Sequence, residues 1–496
     1  METEVGAKRY GFRKWLAQFG GVLWPRSQPA VTTPSGVTAF DLHNETNGLL
    51  LDEARYGCMG EIERRIERVG RTIVDGEIRV LGTEEEKGVV EQTWINLLRL
   101  GLLDELLALF DRAVLPFPEE MVRFLRYCRQ QYEVCKARGE AIRRQHPDSD
   151  LFIMGCIVWG EEYIANFLRY NVRSMLSAGN LPALKRQGLV IFSIVTDGAG
   201  EQRMRQDPLF AEMSAIGQVE FTVIPDEVMA ILRSGHLARN FYILYGMLDH
   251  CSIYLAQAAH AHLFMIPVDA IVADGSLSNM ANYRRYGFEC CGGGNIVAET
   301  ETFLPALEAR FGGEGPISIS TADLASLAVE HAHHYFRSQI LAAENTDFGK
   351  HPRELFWPID GGVEIHSVFI HPLFTSASAL QRYVRRHFAN IDYGMIPRMF
   401  SHSHTIKVIE DTREAYVNNF TAANRLYETT GRPFLADDFL ASHDKYSYSV
   451  QRSLFTRGQK LPCRLNGWTA FRNVDEDVRQ IDALLRANQV PLAANR

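Results

Sequence analysis

The chain has 496 residues, 46% of them hydrophobic and 23% charged, with a formal net charge of −8. These values describe a globular protein with room for two or three domains and a large core. The charge is mild and no stripe of Lys and Arg with interleaved aromatics occurs, which argues against nucleic-acid binding.

Eight cysteines are scattered, with Cys290 and Cys291 adjacent and none in a C-x-x-C pair. That usage argues against a disulfide framework and a zinc knuckle, and a reducing cytoplasm is the simplest home. No apolar run reaches the length of a membrane span, and no small-residue cleavage site follows a hydrophobic core at the N-terminus.

Residues 1–36 read as an amphipathic segment and a linker, the latter rich in Pro, Ser, Thr and Gly from Pro25 to Gly36. Phe12, Trp15, Leu16, Phe19, Val22 and Leu23 fall at helical spacing near Lys8, Arg9, Arg13 and Lys14. The pattern favours a helix docked on the protein's own surface, with peripheral contact of residues 8–24 at the inner membrane as the alternative. Residues 37–150 read as helical. Glu61 to Val69 and Lys87 to Arg144 carry apolar residues at three- and four-residue intervals, and Pro116 and Pro118 split the second stretch. His146 to Asp150 reads as a turn and a domain boundary.

From Leu151 the rhythm becomes strand, helix, strand. Strands are expected at 151–159, 189–197 and 219–224, with helices at 161–177, 201–216 and 239–262 between them. The run from Phe264 reads as a further buried strand ending at Asp274-Gly275-Ser276. Alternation of this kind implies a mostly parallel, Rossmann-like α/β sheet flanked by helices. Ligands bind at the carboxyl ends of such strands, so Trp159-Gly160, Thr196-Asp197 and Asp274 would share one rim. Asp274 as a mere helix cap is the competing reading. Further on, a helix is expected from Ser320 to Ile340, one strand from Gly362 to Phe374 holding His366 and His371, and another at 405–410. Residues 411–496 read as a mostly helical extension.

No Gly-x-Gly-x-x-Gly follows the first strand, and both a phosphate loop and a Gly-x-Ser-x-Gly elbow are missing. The pairs His260/His262, His331/His333 with His334, and His402/His404 raise metal binding. Helical i, i+2 spacing separates the first two pairs, whereas His402/His404 would share a face in an extended segment. His371 closes a strand before Pro372 and is available as a ligand or proton carrier. Asp392, in Asn390-Ile391-Asp392-Tyr393-Gly394, is a loop carboxylate, with an Asx turn as its structural alternative.

The order VWGEEYIANFL, IFSIVTD, PVDAIVADGSL, VFIHPL and NIDYG resembles bacterial glycosyltransferase-like proteins with a GT-A-type nucleotide-diphospho-sugar transferase domain. The likeness covers residues 151–410. It implies a glycosyltransferase that takes a nucleotide-sugar donor and a glycan or protein acceptor, in a cytoplasmic or peripheral inner-membrane protein. Homo-oligomer formation is a further expectation for the added helical regions. Carried onto this chain, the nucleotide-sugar contacts fall on Trp159, Gly160, Glu161, Thr196, Asp197, Gly275 and Ser276. A divalent cation, Mg or Mn, falls to Asp274 and His371, and an acceptor base to Asp392. Ser276 stands where such transferases carry the second Asp of an Asp-x-Asp motif. Two rival readings follow: a metal-dependent hydrolase built on the histidines, and a non-catalytic protein that binds nucleotide sugars or assembles with others.

Overall fold

The computed structural model describes residues 37–487 apart from 57–59, 77, 80–83, 113–117, 234–240, 351, 353, 369, 383–395, 397–398, 401–402, 426, 444–448, 464–467 and 471–472. The amphipathic stretch 8–24, His402 and Asp392 therefore lie outside the described residues. The first described part is helical: α1 (Ala39–Tyr56), α2 (Gly60–Asp75), α3 (Glu84–Arg99), α4 (Leu103–Asp111) and α5 (Glu119–Gln145), with a small parallel pair of β1 (Val37–Thr38) and β2 (Ile78–Arg79). Ile62, Ile66, Val69 and Ile73 of α2 are all buried, the i, i+4, i+7 stripe that drives an amphipathic helix onto a core. Gly101, at φ 72°, adds a break between α3 and α4 that the prolines alone did not predict.

The centre of the molecule is a seven-stranded sheet of order β5-β4-β3-β6-β12-β8-β13. Its strands are β3 (Leu151–Ile157), β4 (Leu189–Asp197), β5 (Gln218–Ile224), β6 (His262–Met265), β8 (Cys290–Gly293), β12 (His371–Thr375) and β13 (Ile406–Val408). All adjacent pairs run parallel except those of β12, which lies antiparallel to both β6 and β8. Residues of β3 alternate between two cores. Leu151, Ile153 and Ile157 join the cluster that includes α5 and the helix preceding β6, whereas Phe152, Met154 and Val158 join the cluster on the opposite face. A strand covered on both faces reads as an unbroken apolar run, which is why β3 and β4 are plain in the sequence.

The helix after β3, α6, is composite: α-helical at Glu161–Asn166, π-helical at Phe167–Val172 and α-helical again at Arg173–Met175. It leads to α7 (Leu181–Lys185). After β4 come α8 (Gly198–Gln206) and α9 (Pro208–Ile216), and after β5 come α10 (Asp226–Arg233) and α11 (Phe241–Ala258). The last of these packs along α5, where Tyr132 Oη donates to Met247 O at 2.7 Å.

The apolar run from Phe264 is two strands, not one. The chain leaves the central sheet at Met265, and Pro267 lacks the N–H that would continue the ladder with β3. It re-enters a different, three-stranded sheet as β7 (Ala270–Val272), antiparallel to β14 (Val417–Thr421), which pairs in turn with β9 (Ala298–Glu299). Asn171, inside the π-helical turn, holds this kink by donating to Pro267 O at 3.0 Å and Ala270 O at 2.8 Å.

The expected strand from Gly362 to Phe374 divides in the same way. β11 (Gly362–Ser367) forms a hairpin with β10 (Glu354–Ile359) and also pairs with β15 (Gln459–Pro462), whereas His371 begins β12 in the central sheet. The helix expected from Ser320 stops earlier, spanning Thr321–Glu330. Ser320 caps it by accepting from Asp323 N at 3.1 Å. Among the described residues no helix is long and apolar enough to cross a membrane.

Candidate functional site

The carboxyl ends of β3, β4 and β6 open on one edge of the central sheet, where an open α/β sheet binds its ligands. At the end of β3, Trp159 packs on Tyr245 of α11 with ring centroids 5.8 Å apart. Gly160 follows at φ 83°, a conformation that costs a side-chain-bearing residue strain, and its carbonyl accepts from Ile164 N to start α6. Glu161 is exposed and lies 3.5 Å from Arg203.

At the end of β4, Thr196 is fully buried, and its Oγ1 finds no partner among the described residues. Asp197 is 6% exposed, and its carboxylate has two fixed donors. Oδ1 accepts from Gly200 N at 2.7 Å, capping α8, and Oδ2 accepts from Arg233 Nη2 at 2.9 Å. At the end of β6, His371 donates its Nε2–H to Met265 O at 3.0 Å, which fixes the ring beside the strand terminus. Trp159, Gly160, Glu161, Thr196, Asp197 and His371 are thus brought to one edge.

Asp274, Gly275 and Ser276 are not. Asp274 follows β7 and accepts from Gly179 N at 2.7 Å and from Ser318 Oγ at 3.0 Å. Gly179 lies just past the far end of α6 from Gly160, roughly 20 Å of helical rise away from the edge. Burial works to raise the Asp274 carboxyl, but hydrogen bonds from Ser177, Gly179 N–H and Ser318 together hold it below its usual range. Gly275, at φ 86°, makes the turn into the helix Ser276–Asn282. Ser276 is wholly buried and clasps β14, its Oγ accepting from Tyr416 N at 3.0 Å and lying 3.2 Å from Tyr416 O. The expected cation pair of Asp274 with His371 does not fit this geometry, since one belongs to a turn beyond β7 and the other to the end of β6. Among the described residues no group of three or more His, Cys, Asp and Glu converges on a common point.

Two members of the histidine pairs, His262 and His333, are engaged in packing. His262 stacks between Phe152 and Phe374, at 5.3 and 5.6 Å, and burial, reinforced by Arg284, lowers it to about 4. His333 is fully buried, accepts at Nδ1 from Tyr335 N and donates from Nε2 to Ala422 O.

Two residues were missed from the sequence. Asp269 follows β6 beyond Pro267 and is the acidic residue next in the chain after that strand end. Pro267 was the available signal. Arg233 ends α10, and no local pattern links it to Asp197. A shallow groove of about 470 Å³ between α4 and α5, lined by Leu107, Arg126, Arg129, Glu133, Val134 and Ala137, contains none of the edge residues.

Neither a family model nor a curated protein matches the chain. Among solved structures, the apo form of mouse xyloside xylosyltransferase 1 aligns at 12% identity with a TM-score of 0.17, covering 32% of this chain. The aligned part spans 58% of the length of that structure. At that overlap the superposition bears no weight, and the assignment of the site rests on the sheet itself.

Proposed function

We propose that the chain is a glycosyltransferase whose nucleotide-sugar donor lies along the carboxyl ends of β3, β4 and β6, in a GT-A-like domain. One observation carries this reading. Trp159-Gly160, Asp197 and His371, which come from three separate segments of sequence, lie at the ends of three neighbouring strands of one mostly parallel sheet. Transfer from a nucleotide sugar develops negative charge on the departing diphosphate, and fixed donors aimed at that charge lower the barrier. The chain's contributions are the Trp159 ring and the Gly160 turn flanking the nucleotide, and the oriented groups of the Asp197 and His371 strand ends. Asp269 replaces Asp274 as the carboxylate proposed to hold a divalent cation, Mg or Mn, which would offset the charge on the diphosphate. Asp392 is the proposed base for the acceptor hydroxyl of a glycan or protein.

Thermal denaturation of the purified chain with UDP, GDP, CDP or CMP, with and without Mn²⁺, tests the reading. At least one nucleotide is expected to raise Tm, and a panel of nucleotide sugars is expected to include one that is slowly hydrolysed. No shift with any nucleotide or sugar nucleotide rejects it. The second reading, a nucleotide-sugar binder without turnover, is favoured by the engagement of the Asp197 carboxylate at the strand ends, both of whose oxygens already accept hydrogen bonds from the chain. Binding without hydrolysis or transfer of any sugar nucleotide would select it.

A further inference from the structure

The acidic residue at the end of β4 is not available in the way its position suggests. Asp197 is buried, one oxygen accepts from the N-terminal turn of α8, and the other accepts from Arg233. Both oxygens of this buried carboxylate already accept a hydrogen bond, so a ribose hydroxyl or a base N–H would have to share an oxygen with a donor already in place. Arg233, by contrast, is 61% exposed at its side chain. One N–H of its fork is committed to Asp197, and the other donors of the planar guanidinium face outward.

The course of the chain explains how it gets there. α10 begins directly after β5 at Pro225-Asp226 and finishes with Arg233 at the end of β4. α11 then carries Tyr245, whose hydroxyl donates to Ile157 O at the end of β3. α10 thus ends, at Arg233, beside the end of β4, and α11 places Tyr245 beside the end of β3, the neighbouring strand.

Charge decides what this arginine recognises. Paired with Asp197 it is electrically neutral as a unit, so its pull on a distant phosphate is much weaker than that of a lone cation. Its directional donors are undiminished. A planar fork is matched by two adjacent acceptors, as in the O6/N7 edge of guanine. Cytosine offers the O2/N3 pair in the same way. In uracil the two carbonyls flank an N–H donor, and in adenine N7 lies beside an amino group.

We propose that Arg233, positioned by Asp197, reads the base of the bound nucleotide and selects guanine or cytosine over uracil and adenine. The proposal rests on the reading that a nucleotide sugar binds at this edge.

Calorimetric titration of the full chain with GDP, CDP, UDP, ADP and inorganic pyrophosphate tests it, using wild type, Arg233→Gln, Arg233→Lys and Asp197→Asn. GDP or CDP is expected to bind wild type about tenfold or more tighter than UDP and ADP, the range a bidentate base contact provides. Arg233→Gln should erase that preference while leaving pyrophosphate affinity within about twofold, because the paired fork contributes geometry and little net charge. Lys, lacking the fork, should not restore it, and Asp197→Asn should weaken it. The apo melting temperature of Arg233→Gln reports its fold, and Asp197→Asn supplies an independent reading of the same pair. Unchanged preference in Arg233→Gln, an equal loss of pyrophosphate, or a wild-type preference for UDP or ADP overturns the arginine assignment alone. Wild type that binds no nucleotide overturns the transferase reading and this proposal together.

Discussion

Asp274 illustrates how a single carboxylate earns its place without touching a ligand. It joins the turn after α6 to the segment around Ser318 by accepting from both. Asp274→Ala leaves the Gly179 N–H without its acceptor, an expected cost of about 1 to 3 kcal/mol in urea denaturation. Nucleotide affinity of the folded fraction should be unchanged. Loss of that affinity at full stability would return Asp274 to the ligand edge. The sign of the pH effect follows from its lowered folded-state value. Its contribution is complete above the ordinary carboxyl range, and it is lost as pH falls through the folded-state value. The stability of wild type should therefore fall more steeply in acid than that of Asp274→Ala. Parallel acid limbs would show that the hydrogen bonds do not discriminate between the charged and neutral forms.

At the scale of elements, α5 and α11 approach each other closely at Gly139. A Cβ on Gly139 would stand 2.4 Å from Leu255 O and 2.8 Å from Ala258 Cβ. Alanine in place of an exposed helical glycine gains up to about 1 kcal/mol. Here the contacts are with backbone and a methyl group that cannot swing away, so overpacking wins and Gly139→Ala should cost about 1 to 3 kcal/mol. An unchanged or raised urea midpoint would show that the two helices separate freely. The same junction is closed at its end by Arg143, which donates to Ala259 O, His260 O, His146 O, Pro147 O and Ser149 O. Replacing Arg143 by Ala strips these carbonyls of a charged donor, and a loss of about 2 kcal/mol is expected by the same measurement.

Over the whole molecule, what could be read from the sequence depended on how each segment is covered. β3 and β4 are packed on both faces, and their unbroken apolar runs announce strands and carboxyl ends together, so Trp159-Gly160 and Asp197 could be placed. β6 beyond His262 and β7 are also apolar, yet they belong to different sheets. Hydrophobicity does not record which sheet a residue enters, and only Pro267 marked the change. His371 was expected to close a strand before Pro372 and instead opens β12, because β11 already ends at Ser367 in its hairpin with β10 and nothing in the apolar pattern marks that break. The contact of Arg233 with Asp197 joins a helix end to a strand end through tertiary structure, and nothing local in either segment encodes it.

The π-helical turn in α6 carries a consequence for how this chain can vary. Its wider winding lets one helix start at the Gly160 turn and still aim Asn171 at the bend between β6 and β7. Inserting or removing a residue in the α-helical turn Glu161–Asn166 would rotate the Gly160 turn and Asn171 by about 100° against each other. Either the strand-end turn or the bend would lose its anchor. The stretch between Gly160 and Asn171 is therefore a fixed ruler: it should accept many changes of residue type and reject any change in length.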